Sequence, residues 1–167
     1  MKSVTFRGPT LADGPALHRL VKRCPPLDEN SRYCNLLQVS HFADTAIVAE
    51  IAGELVGFIT GYRIPGREDV LFVWQVAVGP EARGAGVGQR MLLELVRRVD
   101  GVRLMETTVT PDNEASSAMF QRFAEKLSAP LARSPFLSSA EHFEGEHDDE
   151  ILFRIGPLDA DLLRQAQ

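Results

Sequence analysis

With 167 residues, 44% hydrophobic and 25% charged, the chain has the length and composition of one soluble domain with a substantial core. Its longest apolar run has about nine residues, against the ~20 that a membrane span requires, and no apolar segment typical of a secretory signal follows Lys2. The net charge of −5 disfavours nucleic acid as a partner, and Cys24 and Cys34 are too few for a disulfide scaffold. We therefore expect a single cytoplasmic domain over residues 1–167, with a small-molecule partner and neither nucleic acid nor membrane.

Apolar periodicity along the chain predicts a mixed α/β domain. In chain order, the predicted elements are a strand (3–7), a helix opening at Asp13, a short helix in a polar stretch (27–41), a hairpin (46–50 and 55–63), a strand (70–78), a helix with an apolar face at 91–99, a strand (104–109), a helix (113–126), a weakly patterned segment and a closing strand (151–155). Cys24-Pro25-Pro26 ends the first helix, because proline cannot continue it. Only Gln75 interrupts the apolar run at 70–78, so this strand should be buried on both faces.

A glycine-rich loop, Arg83-Gly84-Ala85-Gly86-Val87-Gly88, joins the strand at 70–78 to the next helix. Such a loop predicts a phosphate site, because glycine lets backbone N–H groups approach the ligand and the helix dipole favours negative charge. No lysine lies near Gly88, which excludes a P-loop. The spacing G-x-G-x-G also differs from the dinucleotide motif, although Glu106 follows about 20 residues later, where a ribose-binding acid would lie. An ordinary glycine-rich turn is the remaining alternative.

Arg83, Gly86 and Gly88 satisfy the pattern R-x-x-G-x-G, which resembles the pyrophosphate loop of the GNAT acetyltransferase superfamily. The resemblance implies a GNAT acyltransferase fold, with a mixed central sheet of about six to seven strands flanked by helices. It also implies acetyl-CoA as co-substrate, no metal, and a backbone N–H near Val76 that polarises the acetyl carbonyl. The implied acetyl-CoA-binding residues are Val76, Ala77, Val78, Arg83, Gly84, Ala85, Gly86, Val87, Gly88, Asn113 and Ser116.

Segments outside this loop resemble the diaminobutyrate acetyltransferases of ectoine biosynthesis. The matching segments are residues 24–28, 30–31, 33–38, 40–42, 71–78 and 106–113. This resemblance implies direct transfer of acetyl to the 4-amino group of L-2,4-diaminobutyrate in a ternary complex, by an enzyme that forms a homodimer. Acetylation of another small diamine or polyamine is an alternative, and so is a catalytically silent acetyl-CoA sensor.

Acidic side chains should hold such a substrate, which carries two ammonium groups and one carboxylate. Asp28 lies in the polar stretch, whereas Glu106 lies in the middle of a strand, where a charge is costly unless it is paired or functional. We expect Glu106 to bind the reacting amine and to accept its proton, directly or through water. Asp28 would hold the other ammonium group. A solvated strand edge is the alternative for Glu106.

Aromatic and histidine side chains complete the predicted site. On the resemblance, Trp74 walls the substrate pocket, although a core tryptophan fits the pattern equally well. Many superfamily members place a tyrosine, the acid for the leaving thiolate, where this chain has Phe120. Tyr33 is therefore predicted to bind substrate and to act as a substitute acid, with the capping of a loop as its alternative. The acidic segment 141–150 is either a solvated loop or a loop that folds over the substrate and brings His147 to it.

Overall fold

Residues 3–166, described by the computed structural model, form seven strands and six α-helices. The strands are β1 (Val4–Arg7), β2 (Ile47–Ile51), β3 (Glu54–Ile64), β4 (Arg67–Val78), β5 (Leu104–Val109), β6 (Leu131–Leu137) and β7 (Glu150–Ile155). The helices are α1 (Gly14–Lys22), α2 (Arg32–Gln38), α3 (Val87–Arg98), α4 (Glu114–Lys126), α5 (Ser139–His142) and α6 (Ala160–Gln165). Short 3-10 helices lie at Leu11–Asp13, Ala43–Thr45 and Pro80–Ala82.

The seven strands form one mixed sheet in the order β1-β2-β3-β4-β5-β7-β6. Among these neighbours, β4 and β5 run parallel and the other pairs are antiparallel. A parallel pair needs a crossover connection, which the glycine loop and α3 provide. The predicted mixed sheet of six to seven strands flanked by helices is therefore confirmed. The weakly patterned segment before β7 contains the edge strand β6, and β4 begins at Arg67, where it forms a hairpin with β3.

Each face of the sheet carries its own apolar core. Val48 and Phe58 lie in the core beneath α1, whereas their chain neighbours Ile47 and Ile59 lie in the core beneath α3 and α4. This division follows from the alternation of side chains along a strand. All four side chains are at most 2% exposed, and burying one of this kind stabilises a fold by about 1.5–3 kcal/mol.

Strands β4 and β5 part near their C-terminal ends. The paired residues run from Val70 opposite Leu104 to Val73 opposite Thr107. At the last pair, Thr107 Oγ1 donates to the Val73 carbonyl at 3.0 Å. At the same point, consecutive residues of β3 pair with Gln75 and Val73, so that Trp74 is the extra residue of a β-bulge. A bulge increases the local twist and bends the strand. The result is an opening in the sheet between the two strand ends.

The bulge also overturns the expected burial of β4. Trp74 is 43% exposed, whereas Gln75, the polar residue in the apolar run, is only 8% exposed. Gln75 can be buried because its amide finds partners: Nε2 donates to the Asp28 carbonyl at 2.9 Å, and Oε1 accepts from Asn30 at 3.3 Å. The strand is therefore not buried on both faces, and its exposed aromatic side lies at the opening.

Candidate active site

An open cavity of about 750 Å³ lies where β4 and β5 part. Its main walls come from the segment 26–30 (all but Glu29), the C-terminal half of β4, the end of β5 with the start of α4, and the segment 143–150 (all but Glu144 and Asp149). The predicted site residues in its lining are Asp28, Trp74, Val76, Asn113, Ser116 and His147. The predicted residues outside this lining are Tyr33, Ala77, Val78, Glu106 and the six residues of the glycine loop.

The glycine loop has the geometry that a phosphate group requires. Gly84 and Gly86 have φ values of 77° and 69°, in the left-handed region that favours glycine. The first helical bond of α3 runs from the Arg90 N–H to the Gly86 carbonyl at 3.1 Å, so the helix offers no acceptor to the N–H groups of residues 87–89. These groups and the helix dipole form an anion site. Arg83 ties the loop to β4, because its Nε donates to the Val78 carbonyl at 3.1 Å.

Close packing of α3 against α4 depends on the last glycine of the loop. A Cβ atom at Gly88 would lie 2.9 Å from Met119 Sδ. Gln89 extends this contact, since its Nε2 donates to the Met119 carbonyl at 2.6 Å. On α4, Asn113 is the N-cap residue and accepts the Ser116 N–H at 3.1 Å. The predicted positions Asn113 and Ser116 are thus held together at the cavity, next to the helix that begins in the glycine loop.

Backbone N–H groups of β4 face the opening. The Gly79 N–H donates to the Val56 carbonyl of β3 at 2.7 Å. Successive N–H groups of a strand point to alternate edges, so the N–H of Ala77 also faces β3, whereas those of Val76 and Val78 face away from it. Because β5 has left β4 at this level, the Val76 N–H points into the opening. The side chain of Ala77 instead lies in the core beneath α1.

His147 joins two walls of the cavity. Its Nε2 lies 3.1 Å from Asp28 Oδ2 and 3.8 Å from Glu150 Oε1, and its Nδ1 lies 2.7 Å from the Asp148 carbonyl oxygen. The hydrogen bond to the Asp148 carbonyl, followed by that to Asp28, raises the pKa of His147 above its usual range. Acceptors face both ring nitrogens, which favours the imidazolium form. The segment 141–150 therefore brings His147 to the cavity and is more than a solvated loop.

Glu106 lies in an ion-pair cluster instead of the cavity. Its two carboxylate oxygens accept from Arg67 at 3.0 and 2.7 Å, and Arg154 Nε donates to Oε1 at 2.8 Å. Burial would raise the pKa of Glu106, whose side chain is 3% exposed, but the bonds from Arg67 and Arg154 outweigh burial and hold it below the usual range. A general base needs a free oxygen and a pKa near the working pH, whereas both oxygens of Glu106 are engaged here. The catalytic role of Glu106 stays a prediction, but the alternative of a solvated edge residue is wrong, because Glu106 is buried.

Tyr33 and Tyr62 differ in their position relative to the cavity. Tyr33 lies on α2 with 71% of its surface exposed, outside the cavity lining, so the structure does not bring it to the predicted substrate site. Tyr62 lines the cavity and meets the Trp74 ring edge-on, with 6.0 Å between ring centroids. Burial raises the pKa of the Tyr62 hydroxyl and keeps it protonated at neutral pH. Phe120, at the usual tyrosine position, is 2% exposed and lines the same cavity.

Tyr62, Gln75 and Glu150 are among the residues of the cavity wall that sequence reasoning missed. Tyr62 ends an apolar strand pattern, and nothing local distinguishes it from a core aromatic. The polar interruption at Gln75 was a usable signal, because a polar residue in a buried strand needs a partner. Glu150 lies in an acidic run, and only its distance of 3.8 Å from His147 distinguishes it from the other acidic residues there.

A phosphate-binding loop beside two parted parallel strands is the arrangement of an acyl-CoA-dependent transferase. A family model described as the acetyltransferase (GNAT) family matches residues 15–124. The chain belongs to this family and is an acetyl-CoA-dependent N-acetyltransferase. Within residues 3–166, no group of three or more His, Cys, Asp or Glu side chains is placed to hold a metal ion. The helices in this range are all too short or too polar to cross a membrane.

Relatives within this family indicate which group of acetyltransferases the chain resembles. The L-2,4-diaminobutyric acid acetyltransferase of Methylotuvimicrobium alcaliphilum is 48% identical over 159 residues, which cover 94% of this chain and 92% of the relative. The enzyme of the same name from Vibrio parahaemolyticus is 47% identical over 156 residues, covering 92% of this chain and 86% of the relative. Among GNAT proteins, this chain is therefore grouped with the L-2,4-diaminobutyric acid acetyltransferases.

Solved structures agree with this grouping. The diaminobutyrate acetyltransferase EctA from Paenibacillus lautus, in complex with L-2,4-diaminobutyric acid and coenzyme A, matches with a TM-score of 0.89 at 39% identity, covering 94% of this chain and 96% of that one. The ribosomal-protein-S18-alanine N-acetyltransferase from Escherichia coli matches with a TM-score of 0.74 at 16% identity, covering 95% and 96%. The second likeness concerns the fold alone.

Proposed function

We propose that the protein transfers the acetyl group of acetyl-CoA to the 4-amino group of L-2,4-diaminobutyrate, giving N4-acetyl-L-2,4-diaminobutyrate for ectoine biosynthesis. One observation carries the proposal: the described lining of the cavity includes five carboxylic acids and neither lysine nor arginine. The five acids are Asp28, Asp112, Glu146, Asp148 and Glu150. An amino acid with two ammonium groups fits such a cavity. Relatives of that activity at 47–48% identity support the same substrate.

In this proposal, the residues of the chain bind the two substrates and stabilise developing charge. Acetyl-CoA supplies an activated thioester. The Val76 N–H is the donor for the acetyl oxygen, where negative charge develops. Asp28 holds an ammonium group by a charge-assisted hydrogen bond. The amine attacks directly in a ternary complex: the C–N bond forms, the C–S bond breaks and coenzyme A leaves as its thiolate. The amine proton leaves to solvent, since both oxygens of Glu106 are engaged.

Acetyl-CoA turnover with four candidate amines tests the proposal. We expect the purified protein to acetylate diaminobutyrate far faster than ornithine, lysine or spermidine, with NMR placing the acetyl group on N4. Initial rates with both substrates varied should give intersecting lines, as a ternary complex requires. Faster turnover of another amine would identify a different diamine acetyltransferase. Binding of acetyl-CoA without any turnover would identify a sensor.

Gly86→Val is expected to weaken acetyl-CoA binding about tenfold, measured by calorimetry. A β-branched residue at a φ of 69° costs about 1–3 kcal/mol and distorts the loop that presents the N–H groups. Gly53→Val is the matched control, because Gly53 has a φ of 82° in the β2–β3 turn and, like Gly86, no atom within 4 Å of a built Cβ. Both variants should lose stability, but only Gly86→Val should lose affinity. Equal affinity losses would contradict the assignment of the loop.

Tyr62→Phe is expected to lower kcat about tenfold, because Tyr62 brings the phenolic hydroxyl of the described cavity lining, which can orient substrate or protonate the leaving thiolate. Tyr33→Phe removes the same hydroxyl from an exposed helix position, and its kcat should stay within about twofold of the parent value. Steady-state kinetics of the two variants show which tyrosine contributes to turnover. A larger loss of kcat in Tyr33→Phe than in Tyr62→Phe would support the predicted acid role of Tyr33.

We further propose that the enzyme works as a cytoplasmic homodimer. Its two cysteines are free, as a reducing compartment requires. Phe42 and Trp74 are 36% and 43% exposed and pack edge-on at 6.5 Å, and such exposed aromatic clusters are typical of interfaces. The C-terminal helix α6 is less suited to this contact, because Arg97 of α3 binds the Leu163 carbonyl at 2.9 Å. Light scattering with size exclusion measures the state; a monomer at all concentrations would contradict it.

A further inference from the structure

The two fully buried residues of helix α2 are both polar. They are Asn35 and Gln38, whereas Leu36 and Leu37 on the same helix are only partly buried. A surface helix ordinarily docks through an apolar stripe, because burial of apolar surface stabilises the contact and amides are costly to bury. With seven residues, α2 is also too short to be stable by itself. Its position must therefore be fixed by contacts with the rest of the fold.

A chain of side-chain hydrogen bonds joins α2 to α1. Nδ1 of His18 on α1 lies 2.9 Å from Asn35 Oδ1, and Asn35 Nδ2 donates to Gln38 Oε1 at 3.0 Å. Because the Asn35 oxygen can only accept, Nδ1 of His18 carries the proton of this bond. The helices also approach closely here, since a Cβ atom at Gly14 of α1 would lie 2.6 Å from Leu36 Cδ2. Directional bonds and close approach together define the position of α2 on α1.

This network leaves one of its own groups unsatisfied. Among the residues that the structure describes, the buried Nε2 of Gln38 has no hydrogen-bond partner. A buried donor without an acceptor destabilises a fold, so a pair of apolar side chains at positions 35 and 38 would attach α2 about as strongly. Such a pair would lack direction, because apolar burial is non-directional. The two amides are therefore suited to fixing where α2 lies, and less suited to strengthening its attachment.

The position of α2 affects one wall of the cavity, the segment 26–30. Ser31, the N-cap of α2, directly follows Asn30. Asn30 lines the cavity and donates to Gln75 Oε1 on β4 at 3.3 Å. Asp28, which we propose to hold an ammonium group, lies two positions earlier in the chain. This wall is therefore held from β4 through Gln75 and from α1 through α2.

We propose that Asn35 is a positioning residue for the amine substrate: by joining His18 to Gln38 it fixes α2, and through α2 it fixes the wall that carries Asp28. Asn35 itself lies outside the cavity lining. The proposal rests on the proposed function, because it takes this wall to bind the amine. The acetyl-CoA loop belongs to α3 and lies outside this network, so acetyl-CoA binding should not depend on Asn35.

Single and double replacements of the two amides separate positioning from stability. Asn35→Leu leaves His18 and Gln38 without their partner, so its urea midpoint should fall by about 1 M. Asn35→Leu combined with Gln38→Met also removes the unpartnered amide and should recover most of this loss. In both variants, KM for diaminobutyrate should rise about threefold to tenfold, because a loosened wall weakens the bond from Asp28. The Kd of acetyl-CoA, measured by calorimetry, should stay unchanged.

Hydrogen exchange over residues 31–39 is a readout that needs no substrate. Exchange should be faster in the double variant than in the parent protein although their urea midpoints are similar, because α2 is then attached without a defined position. Thr60→Val is the matched control. Thr60 is fully buried on β3 outside the cavity lining, and its Oγ1 has no hydrogen-bond partner within the described part of the chain. This variant should change neither KM nor the exchange of α2.

Separate outcomes distinguish this inference from the proposed function. If KM of the double variant returns to the parent value together with its stability, Asn35 has only a structural role and the inference is overturned. Parent-like exchange of α2 in the double variant, or a rise in the Kd of acetyl-CoA as large as that in KM, would also overturn it. A parent protein that does not turn over diaminobutyrate would overturn the proposed function, whereas the exchange data would still decide whether Asn35 fixes α2.

Discussion

Glu106→Gln is expected to unfold more readily than the parent protein by roughly 2–3 kcal/mol, while the folded variant keeps its turnover within about threefold. Glutamine has the same size but one oxygen, which cannot satisfy both Arg67 and Arg154. The arginine side chains are 42% and 48% exposed, so water solvates the freed charges. The loss should therefore stay below the ~3–5 kcal/mol that a fully buried broken pair costs. Urea unfolding at pH 7 measures it.

The pH dependence of this stability difference follows from the lowered pKa of Glu106. A carboxylate whose pKa is depressed on folding stabilises the protein fully above its unfolded pKa, about 4.3 for glutamate, and the contribution disappears as pH falls through the lower folded value. The difference between parent and variant should be constant from pH 7 to about pH 5 and should shrink in more acidic solution. Unfolding curves at three pH values test this sign.

Glu50→Gln provides the matched control. Glu50 accepts from Arg7 Nε at 3.0 Å in a second arginine–carboxylate cluster on β1 and β2, and its side chain is 18% exposed. Both variants should lose stability, and both should retain turnover. If Glu106→Gln instead loses 10²-fold or more in kcat at unchanged stability, Glu106 is the base after all and the structural assignment fails.

Local patterns were sufficient to predict a mixed α/β sheet and a phosphate site at the glycine loop, whereas the GNAT fold and acetyl-CoA were implied by the resemblance to that superfamily. Apolar periodicity predicts six of the strands. The glycine loop predicts a phosphate site because a strand precedes it and a helix follows it. These signals lie within a few residues of one another. The bulge at Trp74 escaped prediction because a bulge depends on the register with β3, which the sequence of β4 alone does not contain.

The substrate side of the cavity depends on contacts between distant residues, and here the sequence reached only part of the answer. Asp28 and His147 are separated by 119 positions, so their contact is a product of the sheet order. For Glu106 the physical premise was right, since a charge inside a strand must be paired or functional. The sequence did not identify its partners, Arg67 and Arg154, because they are 39 and 48 residues away.

Asp28→Asn is expected to lower kcat/KM for diaminobutyrate by about ten- to 150-fold, mainly through KM. Removing the charge from a carboxylate that holds an ammonium group costs about 1.5–3 kcal/mol of binding energy. The same substitution also releases His147 from Asp28, but that pair is partly exposed and contributes little. The net effect on kcat/KM should remain large and should be measured at saturating acetyl-CoA.

Glu29→Gln is the neighbouring control for this prediction, because Glu29 is 57% exposed, pairs with Lys22 at 3.8 Å and lies outside the cavity lining. Its kinetics should match those of the parent protein within about twofold. In Asp28→Asn, the pKa of His147 should also fall toward its ordinary value, which an NMR titration of the imidazole resolves. If this pKa falls while KM is unchanged, Asp28 serves only to hold His147, and the ammonium site must be sought among the other carboxylates of the cavity. A rise in KM accompanied by the fall in the pKa of His147 is the result expected if Asp28 both holds His147 and binds the substrate ammonium group.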